Sequence, residues 1–289
     1  MKKSIQTDLA LERTSPACQA GYQYEERDLG LCKHHLLVIR TSRAAKAANC
    51  PKGVYHTLSF PPLTALGACE RQEIAYQLSL LLQEMTKKLL NMHQPEEERI
   101  LIIGIGNRQQ TVDAIGPRCA DRIHATAQLS HDLRGRLCCT SLAVFCPGVS
   151  AQSGMKSEAL ICAAVQQFRP GLVVLIDSLA ARSIDRIGTT IQLTDAGIAP
   201  GSGVRGGGTA LNAETLGCPT LSIGCPTVTD STTLLHDLLS TLALPRRIKK
   251  RLSAVKGCLV CPQQADDIID HASAILADAI NRAFGVPDA

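Results

Sequence analysis

From residue 172 the chain reads LVVLIDSLAA, ten positions whose apolar run is interrupted only by Asp177 and Ser178. A strand buried on both faces reads this way, because helices above and below leave no solvent side for alternating polar residues. RILIIGIG (99–106), LAVFCPG (142–148) and TLSIGCPT (220–227) are further runs of this kind, and TTIQLTD (189–195) is another strand candidate. Between and after them, residues 114–129, 153–168, 230–244 and 262–284 carry apolar residues at helical spacing. Strands alternating with helices predict a doubly wound α/β fold, a mostly parallel sheet with helices on both faces.

Upstream the pattern is different. ERQEIAYQLSLLLQEMTKKLLNMH (70–93) is an amphipathic helix by its three- and four-residue spacing, with Pro95 just beyond its end. LLVIRTS (36–42) and VYHTLSF (54–60) read as short strands, a small N-terminal β element. Residues 1–35 are polar and lack sustained periodicity, so they read as an arm or irregular segment. With 289 residues and 45% hydrophobic side chains, one large core can be filled. The division expected is a single α/β domain, with 9–69 as arm and β element and 70–289 as core.

Composition excludes several classes. No window approaches the roughly 18 apolar residues of a membrane span. Asp8, Glu12 and Arg13 break up the beginning of the chain, where a secretory signal would need an apolar stretch. A cytoplasmic protein without a membrane partner is expected. Its 13 cysteines, an odd number, read as mostly reduced core residues rather than a disulfide framework. A net charge of +4 does not argue for a nucleic-acid partner, and the basic cluster at 246–251 reads as a solvated linker.

In open α/β sheets, ligands bind beyond the carboxyl ends of the strands. Two carboxylates fall there. Asp113 follows the first core strand through GIGNRQQTVD, and Asp177 comes directly after five apolar residues. Brought close, such a pair cannot ionise together: one keeps a proton as acid while the other polarises water. Asp113 has a structural alternative, capping the helix that follows. For Asp177 the alternative is weaker, since burying an unpartnered carboxylate costs several kcal/mol or forces its protonation. GIGN begins like a dinucleotide-binding turn, but Gln109 stands where the third glycine belongs. Asp195, in DAG, imitates an aspartic-protease motif, and Cys258 and Cys261 form CLVC without a second pair to complete a zinc site. Ser153 lies in no nucleophile elbow.

GNRQQTVDAIGPRC, FCPGVSAQSGM, IDSLAARSIDRIGTTIQLTDAGIAPGSGV, ETLGCPTLSIGCPTV and TTLLHDLL occur in that order, followed by VCPQQADDIIDHASAILADAINRAF. Together they resemble the germination protease family of endospore-forming bacteria, over roughly residues 100–240 and again near 260–284. The resemblance implies an atypical aspartic endopeptidase of the small acid-soluble proteins that coat spore DNA, with its two carboxylates at Asp113 and Asp177. It implies no cofactor and no metal, a cytoplasmic place in forespore and spore core, and a homo-oligomer of tetrameric type. It also implies a zymogen that removes its own propeptide at a Thr–acidic–apolar–Ala site. That pattern is Thr7-Asp8-Leu9-Ala10 here, so the expected cut lies between Asp8 and Leu9, with 1–8 as propeptide. The alternative for this stretch is a loose tail.

By placement, Asn107, Arg182, Gly201 and Gly203 are candidates for substrate binding or support. Two other functional readings remain open at this point. GIGN, an acidic residue and Gly116 resemble, more distantly, hydrogenase-maturation endopeptidases, in which Asp113 would recognise a metal. A non-catalytic relative that only binds spore proteins is the other.

Overall fold

A computed structural model of the chain describes residues 7–14, 21–93, 99–199, 209–240 and 257–286. Its strands form one nine-stranded mixed sheet. They are β1 (Tyr22–Asp28), β2 (Lys33–Ile39), β3 (Gly53–Ser59), β4 (Arg99–Gly104), β5 (Ser141–Phe145), β6 (Leu172–Ala181), β7 (Thr190–Thr194), β8 (Thr220–Asp230) and β9 (Leu259–Val260). The order is β1-β2-β3-β7-β8-β6-β4-β5, with β9 paired to β8. The pairs β8/β6, β6/β4 and β4/β5 are parallel, and the remaining pairs antiparallel.

Helices cover both faces, as the apolar runs predict. On one side α3 (Ala68–His93), α4 (Ile115–Ala120) and α10 (Ala265–Ala283) pack over Ile100, Ile102, Val174, Ile176 and Ile223. On the other, α7 (Ser157–Phe168) packs over Leu101, Ile103, Val173 and Leu175. Successive residues of β4 and β6 therefore feed opposite cores, the period-two rule of a strand with two buried faces. The short α2 (Ser42–Ala48) closes a third cluster with Leu37, Ile39 and Tyr55.

Two readings need correction. Residues 1–35 are not wholly irregular: 22–28 form β1, an edge strand antiparallel to β2. Its sequence, YQYEERD, buries no residue, so it lacks the apolar alternation that marks a strand, and its charges suit a sheet edge. The expected N-terminal β element is present as β1–β3, joined to the main sheet where β3 pairs with β7. Finally, the helix expected over 114–129 stops at Ala120. There the chain turns away, and the backbone N–H groups of Thr126 and Ala127 donate to Leu142 O at 2.8 and 2.9 Å, tying it to β5. A separate helix, α5 (His131–Leu137), follows, capped by Ser130.

Among the described cysteines all are free thiols. Cys32, Cys50, Cys119, Cys139 and Cys225 are buried as core residues, whereas Cys69, Cys138, Cys146, Cys258 and Cys261 are exposed. The basic cluster at 246–251 lies outside the described residues. No helix among them is long and apolar enough to cross a membrane.

Candidate active site

Strand β4 sends its connection to β5 on one side while β6 lies on the other, so the crevice between β4 and β6 is a topological switch point. Asp113 and Asp177 both line the cavity that opens there. The loop after β4 folds back on itself to place Asp113. Asn107 N–H donates to Asp113 O at 3.0 Å and to its carboxylate Oδ2 at 2.9 Å, and Asp113 N–H donates to Gln110 O at 2.8 Å. Thr227 Oγ1 donates to Val112 O at 2.7 Å, fastening this turn to β8. Gly106 (φ +122°) makes the fold-back feasible, because a Cβ there would sit 2.0 Å from Asp113 O. The glycines of GIGN thus serve a tight turn that returns a carboxylate to the site. Asp113 does not cap α4, whose N-cap is Ala114 without a side-chain bond.

Asp177 is 7% exposed and sits where β6 runs past the end of β4, whose last partner is Ile176. Its Oδ1 accepts from Ser178 N–H at 2.8 Å. Burial raises its pKa well above the carboxylate range, and the negative charges of Asp113 and Asp8 push it further up. Asp113 is also raised by burial, with the Asn107 N–H pulling it back. The pair is therefore unequal, Asp177 being the stronger candidate to hold a proton.

Residues 7–14 are no loose tail. Past Ile176 one edge of β6 is open, and the segment docks on it: Asp8 N–H donates to Ala180 O and Ala180 N–H to Asp8 Oδ2, each at 2.8 Å. A bulge between Leu179 and Ala180 in the β6/β8 pairing lies at this place. Leu9, 1% exposed, packs on Leu179 and Ala181, and burial of such a side chain contributes about 1.5–3 kcal/mol. Ala10 begins a single helical turn, α1 (Ala10–Arg13), and its N–H donates to Gln192 Oε1 at 2.8 Å. Glu12 accepts from the N–H groups of Arg182 and Ser183 at 2.6 and 2.9 Å, and from the Thr7 hydroxyl. Arg13 Nε donates to Thr7 O at 2.7 Å. Thr7, Asp8 and Arg13 thereby line the same cavity as Asp113 and Asp177.

The other expected residues divide. Asn107 orients Asp113 through its backbone, while its side-chain oxygen accepts from Gln152 Nε2 at 2.7 Å. Arg182 contacts the docked segment through its N–H. Gly201 and Gly203 lie outside the described residues. Asp195 is a structural carboxylate: its Oδ1 accepts from Val54 N–H at 2.7 Å, tying the end of β7 to β3. Among the described residues no group of three or more His, Cys, Asp or Glu is placed to hold a metal ion. Gln192 escaped the sequence reading, because a glutamine in TTIQLTD passes for the polar alternate of an ordinary strand.

A profile of germination proteases, peptidase family A25, matches residues 5–244. The germination protease of Clostridium perfringens (strain SM101 / Type A) is 32% identical over 274 residues, 85% of this chain and 82% of that protein. That of Caldanaerobacter subterraneus subsp. tengcongensis is 32% identical over 253 residues, with 82% and 73% covered. The Bacillus subtilis (strain 168) germination protease is 30% identical over 247 residues, with 81% and 65% covered. Among solved structures, a nickel-iron hydrogenase maturation protease, HycI from Thermococcus kodakarensis KOD1, aligns with 68% of this chain and 98% of its own. It is 20% identical, with a TM-score of 0.33.

Proposed function

This chain belongs to the germination protease family, and from that premise we propose that it is an aspartic-type endopeptidase made as a zymogen, with Asp113 and Asp177 as its catalytic carboxylates. The observation that carries the reading is the docked segment. Thr7-Asp8-Leu9-Ala10 is held by hydrogen bonds to β6 and Gln192, and its Thr7 and Asp8 line the same cavity as both carboxylates.

The electrostatics support a division of labour. Asp177, whose pKa is raised well above the usual carboxylate value by burial and by the negative charges of Asp113 and Asp8, is the general acid. Asp113, steadied as a carboxylate by Asn107 N–H, is the base. Water attacks the Asp8 carbonyl carbon and yields a proton to Asp113. Asp177 donates to the carbonyl oxygen, Asp113 passes water's proton to the Leu9 nitrogen as the C–N bond breaks, and Asp177 recovers a proton as the tetrahedral carbon collapses to the new carboxyl group. Residues 1–8 leave as propeptide, and 9–289 remain as the mature domain. The substrates in trans are small acid-soluble spore proteins with the same Thr–acidic–apolar–Ala pattern, met in the forespore and spore core by a homo-oligomer.

The test is the intact mass of the purified chain over time from neutral to mildly acidic pH, beside Asp113→Asn and Asp177→Asn. Loss of residues 1–8 from the wild type and from neither variant is the expected result. A variant that still processes itself would rule out the carboxylate pair.

A further inference from the structure

Gln192 lies in β7, between β3 and β8, and is 6% exposed. In the sheet register Asp177 pairs with Gly224, and Gly224 with Gln192, so acid and amide stand in one row two strands apart. Residues paired across neighbouring strands project to the same face. Both side chains line the cavity that holds the docked segment.

The amide grips that segment on both sides of the Asp8–Leu9 bond. Gln192 Nε2 donates to the Asp8 carbonyl oxygen at 3.1 Å, and Gln192 Oε1 accepts from Ala10 N–H at 2.8 Å. These contacts settle which way the amide faces, since a flipped group would set acceptor against acceptor and donor against donor. The Asp8 oxygen is the atom on which negative charge develops when water attacks.

We propose that Gln192 is a catalytic residue of the peptide-bond cleavage assigned above, its N–H polarising the scissile carbonyl and stabilising the oxyanion. The proposal rests on the endopeptidase reading. Gln192 exchanges no proton: water's proton passes to Asp113 and on to the Leu9 amine as the C–N bond breaks, Asp177 gives its proton to the oxygen and takes one back as the new carboxyl group forms, and the glutamine N–H stays hydrogen-bonded throughout. A carbonyl oxygen has two lone pairs, so Gln192 and Asp177 address it together. The Oε1 contact to Ala10 prevents the bond from sliding past the donor. A preorganised donor of this kind, at about 2.7–3.1 Å, acts most strongly in a site from which water is excluded.

Two substitutions separate the donor from the docking contact. Gln192→Glu keeps the acceptor for Ala10 and loses the donor, while Gln192→Met fills a similar volume and has neither. The rate of loss of residues 1–8 is followed by intact mass on full chains, with thermal melts confirming that each is folded. At neutral pH both variants are expected to process more slowly by about 10²–10³-fold, the effect of removing one oxyanion donor. The Glu-to-wild-type rate ratio should rise as the pH falls toward about 5, where a protonated Glu again offers a donor, and the Met ratio should stay flat. Either variant processing within about threefold of wild type would overturn the assignment. So would equal slowing of both variants at every pH, which marks a purely structural role. A wild type that never loses residues 1–8 sinks the endopeptidase reading itself, whereas a processing wild type beside unslowed variants sinks the Gln192 role alone.

Discussion

Strands β4 and β6 at the centre of the parallel half bury one polar side chain, Asp177. Strands β2, β3 and β7 of the antiparallel half bury seven: His34, His35, His56, Thr57, Thr190, Gln192 and Thr194. In the first region the run of apolar side chains on either side leaves no ordinary packing reason for a carboxylate, so its presence demands a functional account. In the second, the buried histidines find polar partners within the same sheet. His34 Nε2 lies 2.9 Å from His56 Nδ1 with the rings stacked, and Tyr24 hydroxyl lies 2.9 Å from His35 Nδ1. A polar residue in that setting says little alone, and its use emerges only from what it touches. The parallel half carries the carboxylates, and the antiparallel half carries the amide that bonds Asp8 O and Ala10 N–H.

The largest effect that would break this contrast is on turnover. Asp113→Asn and Asp177→Asn are each expected to slow self-processing by about 10²–10⁴-fold, the range of general acid–base catalysis, measured as the rate of loss of residues 1–8. Asp195→Asn, which alters a carboxylate outside the pair, should process at a rate within a few-fold of wild type.

Next comes an acid sensitivity confined to the antiparallel half. Burial, with the charges of His34, Lys88 and Arg27, lowers the His56 pKa to about 4. A histidine lowered in the folded state stabilises fully above its unfolded pKa, and that stability is lost as pH falls through the folded value. Between about pH 6.5 and 4 the loss from His56 is of order 3 kcal/mol. Urea unfolding as a function of pH should show it in the wild type, and His56→Phe should flatten the slope in that window.

Smaller still is the stability cost of Asp177. Its carboxyl is raised, so it contributes stability only at low pH, and that contribution is lost as pH rises from the unfolded value through the folded one. Compared in an Asp113→Asn background, where residues 1–8 are retained, Asp177→Asn should raise Tm. The gain is largest at neutral pH and shrinks toward pH 4. The smallest effect is expected at Thr57, whose buried hydroxyl has no hydrogen-bond partner among the described residues. Thr57→Val should be neutral or stabilising by up to about 1 kcal/mol in urea unfolding.

The same contrast explains how much was legible in the sequence. LVVLIDSLAA marked a strand buried on both faces with the bounds the structure gives, and Asp177 stood out in it because nothing apolar explains an aspartate there. Asp113 could be placed at the right sheet edge, but the turn that returns it depends on backbone bonds from Asn107 that no pattern reveals. Strand β1 was hidden because an edge strand that buries nothing has no hydrophobic period. Gln192 was hidden because its meaning lies in register: it stands across Gly224 from Asp177, and strand pairing between residues far apart in sequence leaves no local signal. Thr7–Ala10 was picked out by family resemblance alone. Its docking needs the open edge of β6 beyond Ile176, a feature of topology.

The central claim is that the Asp8–Leu9 bond is presented to the carboxylates of the same chain. The direct measurement is the rate constant for loss of residues 1–8, by intact mass, across about a hundredfold range of protein concentration. A first-order constant that does not change on dilution is expected, since the segment is already docked before cleavage. A constant that falls in proportion to concentration would show that one molecule cuts another, and would contradict the account.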